Sequence, residues 1–225
     1  MATGGRSDGG EGAGLTTIYL VRHGESEANV QRVFSNGKVD LPLTALGRHQ
    51  AEQAAGWLAA RTTAAHVFSA PLLRARQTAA IIAAALGSET SVLDDLDEVR
   101  VGDLDGRRDA ESWAVHDRVI ARWRAGHRGI AFPGGESYGQ AFDRFSAALR
   151  EMARRYPGQP IVAVSHGAIQ MTVLPRLCPS LGQELRRARH RWGLRNAAIT
   201  ILEVTARGIA CPLWGATDHV TPFPG

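Results

Sequence analysis

Three short apolar runs, each with a helix signal after it in the chain, constrain the fold more than any other feature of this sequence. They are residues 16–21, 66–69 and 160–165. Each run is long enough for one buried strand. Since strand and helix in alternation are typical of a parallel sheet covered on both faces, we predict an α/β fold. Its expected form is a three-layer sandwich, with a mainly parallel central sheet flanked by helices.

Local signals place the first helices of this sandwich. Thr44 is the predicted N-cap of a helix over residues 45–60, in which apolar side chains recur at helical spacing. Pro71 marks the start of the next helix, because proline is tolerated in the first helical turn. We expect that helix to run to about Leu86, where Gly87 stops it.

The remaining chain completes the sheet and adds an insertion. Residues 196–204 and 209–214 predict two further strands, paired through a short turn. The composition changes over residues 107–156, where aromatic residues, arginines and glycines interrupt the strand-helix pattern. We predict a small insertion of helices and loops there, lying over the active site. Ser137, or a neighbour, is the expected N-cap of a helix over residues 138–155.

The size of the chain fits one domain. Its 225 residues are 44% hydrophobic and 21% charged, which suits one compact core over residues 15–225. Residues 1–14 are rich in glycine and lack an apolar run, so we predict a disordered tail. No stretch approaches the roughly 18 apolar residues needed to span a bilayer, and the tail lacks the hydrophobic segment of a secretory signal. We therefore expect a cytoplasmic protein without a membrane partner.

The charge of the chain is mildly basic, with a net value of +4, and Lys38 is the only lysine. An arginine excess can indicate nucleic-acid binding, and residues 186–191 form the densest basic cluster. That cluster lacks interleaved aromatics and a recognisable nucleic-acid motif, so we interpret it as a solvated helix face and predict no nucleic-acid partner. A basic surface still favours small anionic substrates through electrostatic steering.

Cationic and imidazole side chains follow each of the predicted parallel strands. Arg22 and His23 come directly after the first strand, and His166 comes after the third. Arg74 lies in the first turn of the helix after the second strand. Ligands of open α/β sheets gather at the carboxyl ends of the strands. The sequence therefore predicts a pocket for a dianion at this edge of the sheet.

The segments around these residues resemble a known family, the histidine phosphatase superfamily of the branch 1 type, also called the phosphoglycerate mutase-like family. The matching blocks are LVRHGESEAN (residues 20–29), DLPLTALG (40–47), SAPLLRARQTA (69–79), LDE (96–98), GGES (134–137) and VSHG (164–167). A lone Arg-His-Gly would be a weak signal. Several blocks in the order of the family are a strong one, and the resemblance extends over about residues 17–202.

The resemblance implies a role for individual residues in these blocks. His23 would be the nucleophile that carries the phosphoryl group, and Glu98 would transfer protons. The other catalytic residues implied are Arg22, Arg74 and His166, and those implied to bind phosphate or substrate are Asn29, Ser35 and the backbone N–H of Gly167. In the loop that holds Ser35, Asn36 stands where the mutases of the family usually have glycine.

Elementary chemistry is consistent with these roles. The transition state of phosphoryl transfer spreads charge over the equatorial oxygens, so catalysis depends mainly on positioning and cationic clamping. Guanidinium groups stay charged and donate paired hydrogen bonds to phosphate oxygens. A neutral imidazole is a competent nucleophile when its other nitrogen donates to a fixed acceptor, which is the carbonyl of Gly24 in the resembling family. With Glu98 as acid and then base, we expect an acid-type enzyme most active from mildly acidic to neutral pH.

Two of these assignments compete with neighbouring residues. Glu98 lies in an acidic run, so Asp97 and Asp103 are alternatives for the proton carrier. Arg76 lies two residues after Arg74 and would face another side of the same helix. The family pattern favours Glu98 and Arg74. The block that usually follows the glutamate in the family contains an aromatic residue between its glycines, whereas residues 102–106 here keep only the glycines.

The family that this sequence resembles includes both hydrolases and mutases. We predict a metal-independent phosphomonoester hydrolase that acts on a small phosphorylated metabolite through a phosphohistidine intermediate, with no cofactor and no metal site. Mutases of the family carry a longer insertion, including paired arginines that grip a substrate carboxylate. The arginines available here are Arg107, Arg108, Arg122, Arg124 and Arg128. A phosphoglycerate mutase-type phosphotransferase is thus the alternative, and an inactive phospholigand-binding module is a third, which the retained Glu98 disfavours.

Other residues of the insertion leave open questions. Trp113, Trp123 and Phe132 are either an apolar wall against the leaving group or packing residues. The histidines outside the family blocks are expected to be surface groups: His49, His66, His116, His127, His190 and His219. The oligomeric state is left open by the sequence.

Overall fold

A six-stranded sheet forms the centre of the computed structural model, which describes residues 14–187 and 193–223 apart from the side chains of residues 184, 186 and 187. The strands are β1 (Thr16–Arg22), β2 (Val67–Ser69), β3 (Thr90–Val92), β4 (Ile161–Ser165), β5 (Ile199–Thr205) and β6 (Gly208–Ala216). Their order across the sheet is β3-β2-β4-β1-β5-β6. The first four strands of the chain pair in parallel, and β5 and β6 join antiparallel. The predicted α/β fold is confirmed.

Helices flank this sheet. They are α1 (Glu27–Gln31), α2 (Ala45–Ala59), α3 (Leu73–Leu86), α4 (Ala110–Arg124), α5 (Tyr138–Arg155), α6 (Gly167–Leu177) and α7 (Pro179–Arg187). Two short 3-10 helices, Asp94–Leu96 and Gly102–Leu104, lie between β3 and α4. The helices α2 and α3 pack against each other, and α5 packs against α6 and β1. All five residues of β4 are buried, as expected for a central strand covered on both faces.

Three of the predicted helix ends are confirmed, whereas α3 begins at Leu73, so Pro71 precedes the N-cap Leu72 and does not lie in the first helical turn. The Gly47 N–H donates to Thr44 Oγ1 at 2.9 Å, which caps α2. Gly87 ends α3 in the left-handed region, with a φ of 62°. At the start of α5, the Gln140 N–H donates to Ser137 Oγ at 3.3 Å, and the Ser137 N–H donates to Gln140 Oε1 at 2.8 Å. This capping box satisfies two backbone donors reciprocally.

The strands agree with the sequence in all but one case. The predicted C-terminal pair is the antiparallel hairpin of β5 and β6, in which Thr205 pairs with Gly208. The sequence analysis misses β3. Its three residues lie at the edge of the sheet and two of them are exposed, so they form no apolar run.

The predicted insertion divides into two parts. The helix α4 lines the same cavity as His23, whereas α5 packs on β1, β5 and α6. Residues 1–13 of the predicted tail, and the side chains of the basic cluster at residues 186–191, lie outside the described residues. Within residues 14–187 and 193–223, no helix is both long and apolar enough to cross a membrane.

The register between β1 and β4 positions the site. Arg22 is opposite Ser165 in this parallel pair, so the next residues of both strands leave the sheet side by side. The His23 N–H donates to the Ser165 carbonyl at 3.0 Å and continues the ladder one step beyond β1. His23 and His166, which are 143 positions apart in the chain, are neighbours for this reason.

Two glycines allow α2 to approach the loop after β1. A Cβ atom on Gly47 would lie 1.8 Å from the Glu25 carbonyl oxygen, and one on Gly24 would lie 2.1 Å from the Gly47 carbonyl oxygen. No side chain fits between two backbones at these distances. The start of α2 therefore packs directly against the loop that carries His23.

We expect Gly47→Ala to lower the free energy of unfolding by about 1–3 kcal/mol, because the added methyl group forces the two backbones apart. Gly56→Ala is the matched control, since Gly56 is exposed in the same helix and its Cβ would meet nothing within 4 Å. That control should stabilise the protein by about 0.5–1 kcal/mol. Urea denaturation measures both. Equal effects of the two variants would contradict the close approach.

Candidate functional site

His23 follows β1 and is held at both ring nitrogens. Its Nδ1 lies 2.7 Å from the Gly24 carbonyl oxygen, so Nδ1 carries the proton and donates it. Its Nε2 accepts a hydrogen bond from Arg74 Nε at 3.1 Å. The ring is 2% exposed. Burial, and then the positive charges of Arg74 and Arg22, hold the pKa of His23 well below its usual 6.5. The imidazole is therefore neutral at neutral pH, with its lone pair on Nε2.

Arg74 lies in the first turn of α3 and points into the site. Besides Nε, which meets His23, its two terminal nitrogens donate to Ser35 Oγ at 3.1 Å and to the Ser35 carbonyl at 3.0 Å. Arg74 is 5% exposed, whereas Arg76 is exposed on the other side of α3. Of the two arginines in this block, only Arg74 faces His23. The Ser35 hydroxyl donates in turn to the Val39 carbonyl at 2.5 Å, so it orients the guanidinium.

His166 lies against His23 at the end of β4. The ring centroids are 5.1 Å apart and the planes are inclined by 62°. His166 is fully buried, and both of its ring nitrogens lack a hydrogen-bond partner among the described residues. Burial, and then the positive charge of Arg74, hold the pKa of His166 well below its usual value. Two unpartnered buried nitrogens are costly unless a ligand uses them.

Arg22 and the start of α6 form another side of the same site. The Arg22 guanidinium donates to the Leu194 carbonyl, while its Nε is buried without a partner among the described residues. A Cβ on Gly167 would lie 3.0 Å from that Nε. A side chain at position 167 would therefore press against the Arg22 guanidinium at the start of α6. Together the Arg22 guanidinium and the Gly167 N–H place two donors where a helix N-terminus already favours an anion.

Glu98 lies beside the start of α6 and lines the cavity that contains His23. Its Oε1 accepts from the Ile169 N–H at 2.7 Å and its Oε2 accepts from the Ala168 N–H at 3.1 Å. The carboxylate therefore caps α6 while it faces the site.

The alternatives to Glu98 lie elsewhere. Asp97 is buried behind the site, where its Oδ1 is 3.6 Å from His166 Nε2, and it does not line the cavity. Burial raises the pKa of Asp97 to about 6, against the hydrogen bond from the Glu98 N–H. Asp103 is exposed and also lies outside the cavity wall. Of the three carboxylates considered, Glu98 is the one that shares the cavity with His23.

Asn29 is oriented by Ser26 and by Asn196. Its Oδ1 accepts from the Ser26 N–H, the Ser26 hydroxyl and Asn196 Nδ2, each at 3.1 Å. With its oxygen used in this way, the Nδ2 group is left to donate into the cavity. Asn196 also donates to the His23 carbonyl at 3.2 Å. No sequence signal singles out Asn196, because it lies before β5 and far from the other blocks.

A buried ion pair fixes the segment that carries Glu98. Arg144 Nη2 lies 2.8 Å from Glu136 Oε1, and the two side chains are 9% and 7% exposed. The same guanidinium donates to the carbonyls of Asp95, Asp97 and Glu98 at 2.9, 3.1 and 3.2 Å. Glu136, the glutamate of the GGES block, thus orients Arg144, and Arg144 holds the backbone of the segment that carries Glu98. The sequence analysis assigns no role to either residue.

The cavity extends well beyond these groups and has a volume of about 890 Å³. Of the predicted site residues it is lined by Arg22, His23, Asn29, Ser35, Arg74, Glu98 and Gly167, whereas His166 is not part of the wall and lies against His23. Trp113 and Trp123 line it too, so they belong to the apolar wall that was one of the two predicted roles. Phe132 is buried behind that wall and is a packing residue.

Not every histidine and arginine lies where the sequence suggests. His116 lines the cavity, and His66 is buried against Ser91, so the expectation that both are surface groups is wrong. Among the arginines of the insertion, Arg124 and Arg128 line the cavity. Arg107 instead pairs with Asp109 and Glu111 on the surface.

The arrangement has the chemistry of a phosphate site. A neutral imidazole with a fixed tautomer lies among two buried guanidiniums, a second neutral imidazole and a helix N-terminus. Such a set attracts a dianion and offers it donors on several sides. A carboxylate in the same cavity can exchange protons with a bound ligand.

The chain is similar in sequence and in fold to known proteins. The sequence pattern of the histidine phosphatase superfamily (branch 1) matches residues 18–217. Phosphoglycerate mutase-like protein 4 of Arabidopsis thaliana is 33% identical over 206 residues, which cover 90% of this chain and 86% of that protein. The metal-independent phosphoserine phosphatase of Arabidopsis thaliana is 27% identical, with 92% and 84% covered. The solved structure of mycobacterial hydrolase 1 superposes with a TM-score of 0.74 at 27% identity, covering 90% of this chain and 99% of that one.

We expect Arg144→Met to lower the free energy of unfolding by about 3–5 kcal/mol, because it leaves the Glu136 carboxylate buried and unpaired. Arg150→Met is the control, since Arg150 is exposed on the same helix. It should change stability by less than about 0.5 kcal/mol. Chemical denaturation measures both variants. If Arg144→Met costs no more than the control, the ion pair does not hold the Glu98 segment.

Proposed function

The chain belongs to branch 1 of the histidine phosphatase superfamily, and we propose that it is a metal-independent phosphomonoester hydrolase that works through a phosphohistidine. The observation that carries the proposal is the state of His23. Its Nδ1 proton is fixed by the Gly24 carbonyl, and its Nε2 lone pair points at Arg74. A neutral imidazole with a defined lone pair is a nucleophile, and the adjacent guanidinium is a phosphate ligand.

In the first step, the His23 Nε2 lone pair attacks phosphorus and the bond from phosphorus to the ester oxygen breaks. When the ester binds, Arg74 Nε donates to a phosphate oxygen instead of to His23 Nε2. This exchange frees the lone pair of His23 for the attack. Nδ1 keeps its proton throughout, and the Gly24 carbonyl stabilises the positive charge that develops on the ring. Glu98 gives its proton to the departing oxygen, which leaves as an alcohol.

In the second step, water attacks the phosphohistidine and the phosphorus–nitrogen bond breaks. Glu98, now a carboxylate, accepts the proton of the attacking water, which restores the first state and releases inorganic phosphate. The cavity wall supports this role for Glu98, because the carboxylates of Asp97 and Asp103 lie outside that wall.

The remaining site residues hold the phosphoryl group. In this proposal Arg22 and Arg74 clamp the equatorial oxygens, and His166 donates from one of its unpartnered nitrogens. Asn29 Nδ2 and the Gly167 N–H add donors. Ser35 acts through Arg74, since its hydroxyl and its carbonyl both accept from that guanidinium.

A phosphoglycerate mutase-type phosphotransferase is the second candidate. The similarity to phosphoglycerate mutase-like protein 4 supports it, while the similarity to a metal-independent phosphoserine phosphatase supports hydrolysis. We favour hydrolysis of a small phosphorylated metabolite in the cytoplasm, with neither nucleic acid nor membrane as partner. An inactive binding module is disfavoured because the cavity keeps both a nucleophile and a proton carrier.

Turnover of p-nitrophenyl phosphate tests the nucleophile. We expect the full chain to hydrolyse this ester with EDTA present, and His23→Ala to lower kcat/KM by about a thousandfold or more. His49→Ala is the control, because His49 lies on α2 and outside the cavity wall, and it should keep full activity. Undiminished turnover by His23→Ala would remove the assignment of His23. Loss of activity on adding EDTA would indicate a metal-dependent phosphatase instead.

The pH dependence tests the proton carrier. We expect kcat/KM to be highest from mildly acidic to neutral pH. On the acid side, protonation of His23 removes the lone pair only well below pH 6.5, because burial lowers its pKa. Glu98→Gln should lower kcat/KM by about a hundredfold or more, because it removes the proton carrier, whereas Asp103→Asn should keep the wild-type activity and profile. A flat wild-type profile from about pH 4 to about pH 9 would contradict this role for Glu98.

A further inference from the structure

The cavity continues past the phosphate site along one face of α6. The residues of this helix that line it recur at helical spacing: Gly167, Ala168, Met171, Thr172, Pro175 and Arg176. Residues at this spacing share a face of a helix. The floor of the cavity therefore starts at the proposed phosphate site and ends at Arg176, beside the last turn of α6.

The opposite wall comes from α4 and is mainly aromatic. Its lining residues are Trp113, His116, Ile120, Trp123 and Arg124, again one helical face. The rings of Trp113 and Phe34 pack with their centroids 4.3 Å apart, and both line the cavity. With Met171 and Pro175 on the floor, the middle of the cavity is apolar. It fits a carbon skeleton and not a chain of hydroxyl groups.

The far end of the cavity is cationic. The Arg128 guanidinium carbon lies 5.6 Å from the centre of the Tyr138 ring, and that of Arg176 lies 5.6 Å from the centre of the Phe142 ring. These two rings are stacked on each other, so both guanidiniums lie beside the Tyr138–Phe142 pair, and both arginines line the cavity. Both favour the ionised form of Tyr138, although burial raises the pKa of that phenol overall.

Neither guanidinium has an acidic partner among the described side chains. Among the side chains that the structure describes, no carboxylate lies within 4.0 Å of Arg128 or Arg176, whereas Arg107, Arg144, Arg154 and Arg155 all have one. Two positive charges that line one cavity without a carboxylate partner raise the local potential and favour a bound anion. An anionic group of a ligand can therefore bind at the far end of the cavity.

The loop that carries Arg128 is fixed to its neighbours. Trp123 Nε1 donates to the Ile130 carbonyl at 2.6 Å, and the Gly139 N–H donates to the Arg128 carbonyl at 3.2 Å. These bonds hold the loop between α4 and the first turn of α5. Arg128 is therefore placed by the fold, and less entropy is lost when its guanidinium binds a ligand.

The two cationic ends are too far apart for a small acid. Nine residue steps separate Gly167 from Arg176, which is about 13 Å along the helix axis. Since helical side chains lean toward the N-terminus, the space between the bound phosphate and the far guanidiniums is on the order of 10 Å. A three-carbon phosphorylated acid that is bound at His23 does not bridge this distance.

From these features we infer that the substrate is a phosphate monoester with an extended, largely apolar leaving group that carries a second anionic group at its far end, bound by Arg128 and Arg176. The inference rests on the proposed function for the phosphate end of the site. It adds the class of leaving group. The second anion is a carboxylate or another phosphate, since guanidinium groups bind both through the same paired hydrogen bonds.

Binding of matched phosphonates tests the inference without depending on turnover. The probes are 4′-carboxybiphenyl-4-ylphosphonate and its neutral 4′-carboxamide, titrated into the full chain by calorimetry. We expect the carboxylate to bind about tenfold more tightly than the carboxamide. Arg128→Gln and Arg176→Gln should each remove most of this preference. Added salt should reduce the preference, because the guanidiniums are exposed.

Arg122→Gln is the matched control, since it removes one exposed positive charge from α4 outside the cavity wall and should keep the preference. The preference should also shrink with single-ring phosphonates, whose carboxylate does not reach the far end. Equal binding of the two biphenyl probes, or a preference that survives both cavity variants, overturns the inference. Wild-type protein that hydrolyses p-nitrophenyl phosphate but binds the probes equally leaves the proposed function standing. Preferential binding without hydrolysis of any ester contradicts the proposed function alone.

Discussion

The parallel pairing of β1 with β4 is the constraint on which the rest of the site depends. This register sets Arg22 opposite Ser165, and it sends the following histidine of each strand into the same buried space. No local interaction could join these residues, because they are far apart in the chain. The sheet also removes both rings from water, and this desolvation keeps the imidazoles neutral beside cationic neighbours.

Around the paired histidines, neighbouring elements fix each functional group through backbone atoms. The Gly24 carbonyl sets the tautomer of His23, and the backbone and hydroxyl of Ser35 orient Arg74. The amides at the start of α6 hold Glu98, while Arg144 binds the segment before it through three carbonyls. A site built in this way is organised before a ligand arrives, which is what stabilising a transferring phosphoryl group requires.

In our proposal, the length of the cavity adds selectivity to this chemistry. One end is a compact cluster of cations and imidazoles, the middle is apolar, and the far end presents two further guanidiniums. The helix α6 connects these regions, because its N-terminus faces the proposed phosphate site and its last turn carries Arg176. The same helix can therefore contribute to the reaction and to the choice of ester.

Several features were predictable from the sequence because they depend on residues that are close together in the chain. Apolar runs predicted the central strands, and Thr44 and Gly87 predicted helix ends. The position of Arg22 and His23 predicted that they lie at the carboxyl end of a central strand. Other features only the tertiary structure decided. Three examples join residues from separate elements. They are the Asn196 contact with His23, the bonds from Arg144 to the Glu98 segment, and the approach of Arg128 and Arg176 to the Tyr138–Phe142 pair. The short edge strand β3 belongs with them, since its pairing partner and not its composition makes it a strand. Local patterns report periodicity and capping, whereas contacts between distant segments depend on how the helices and the sheet pack.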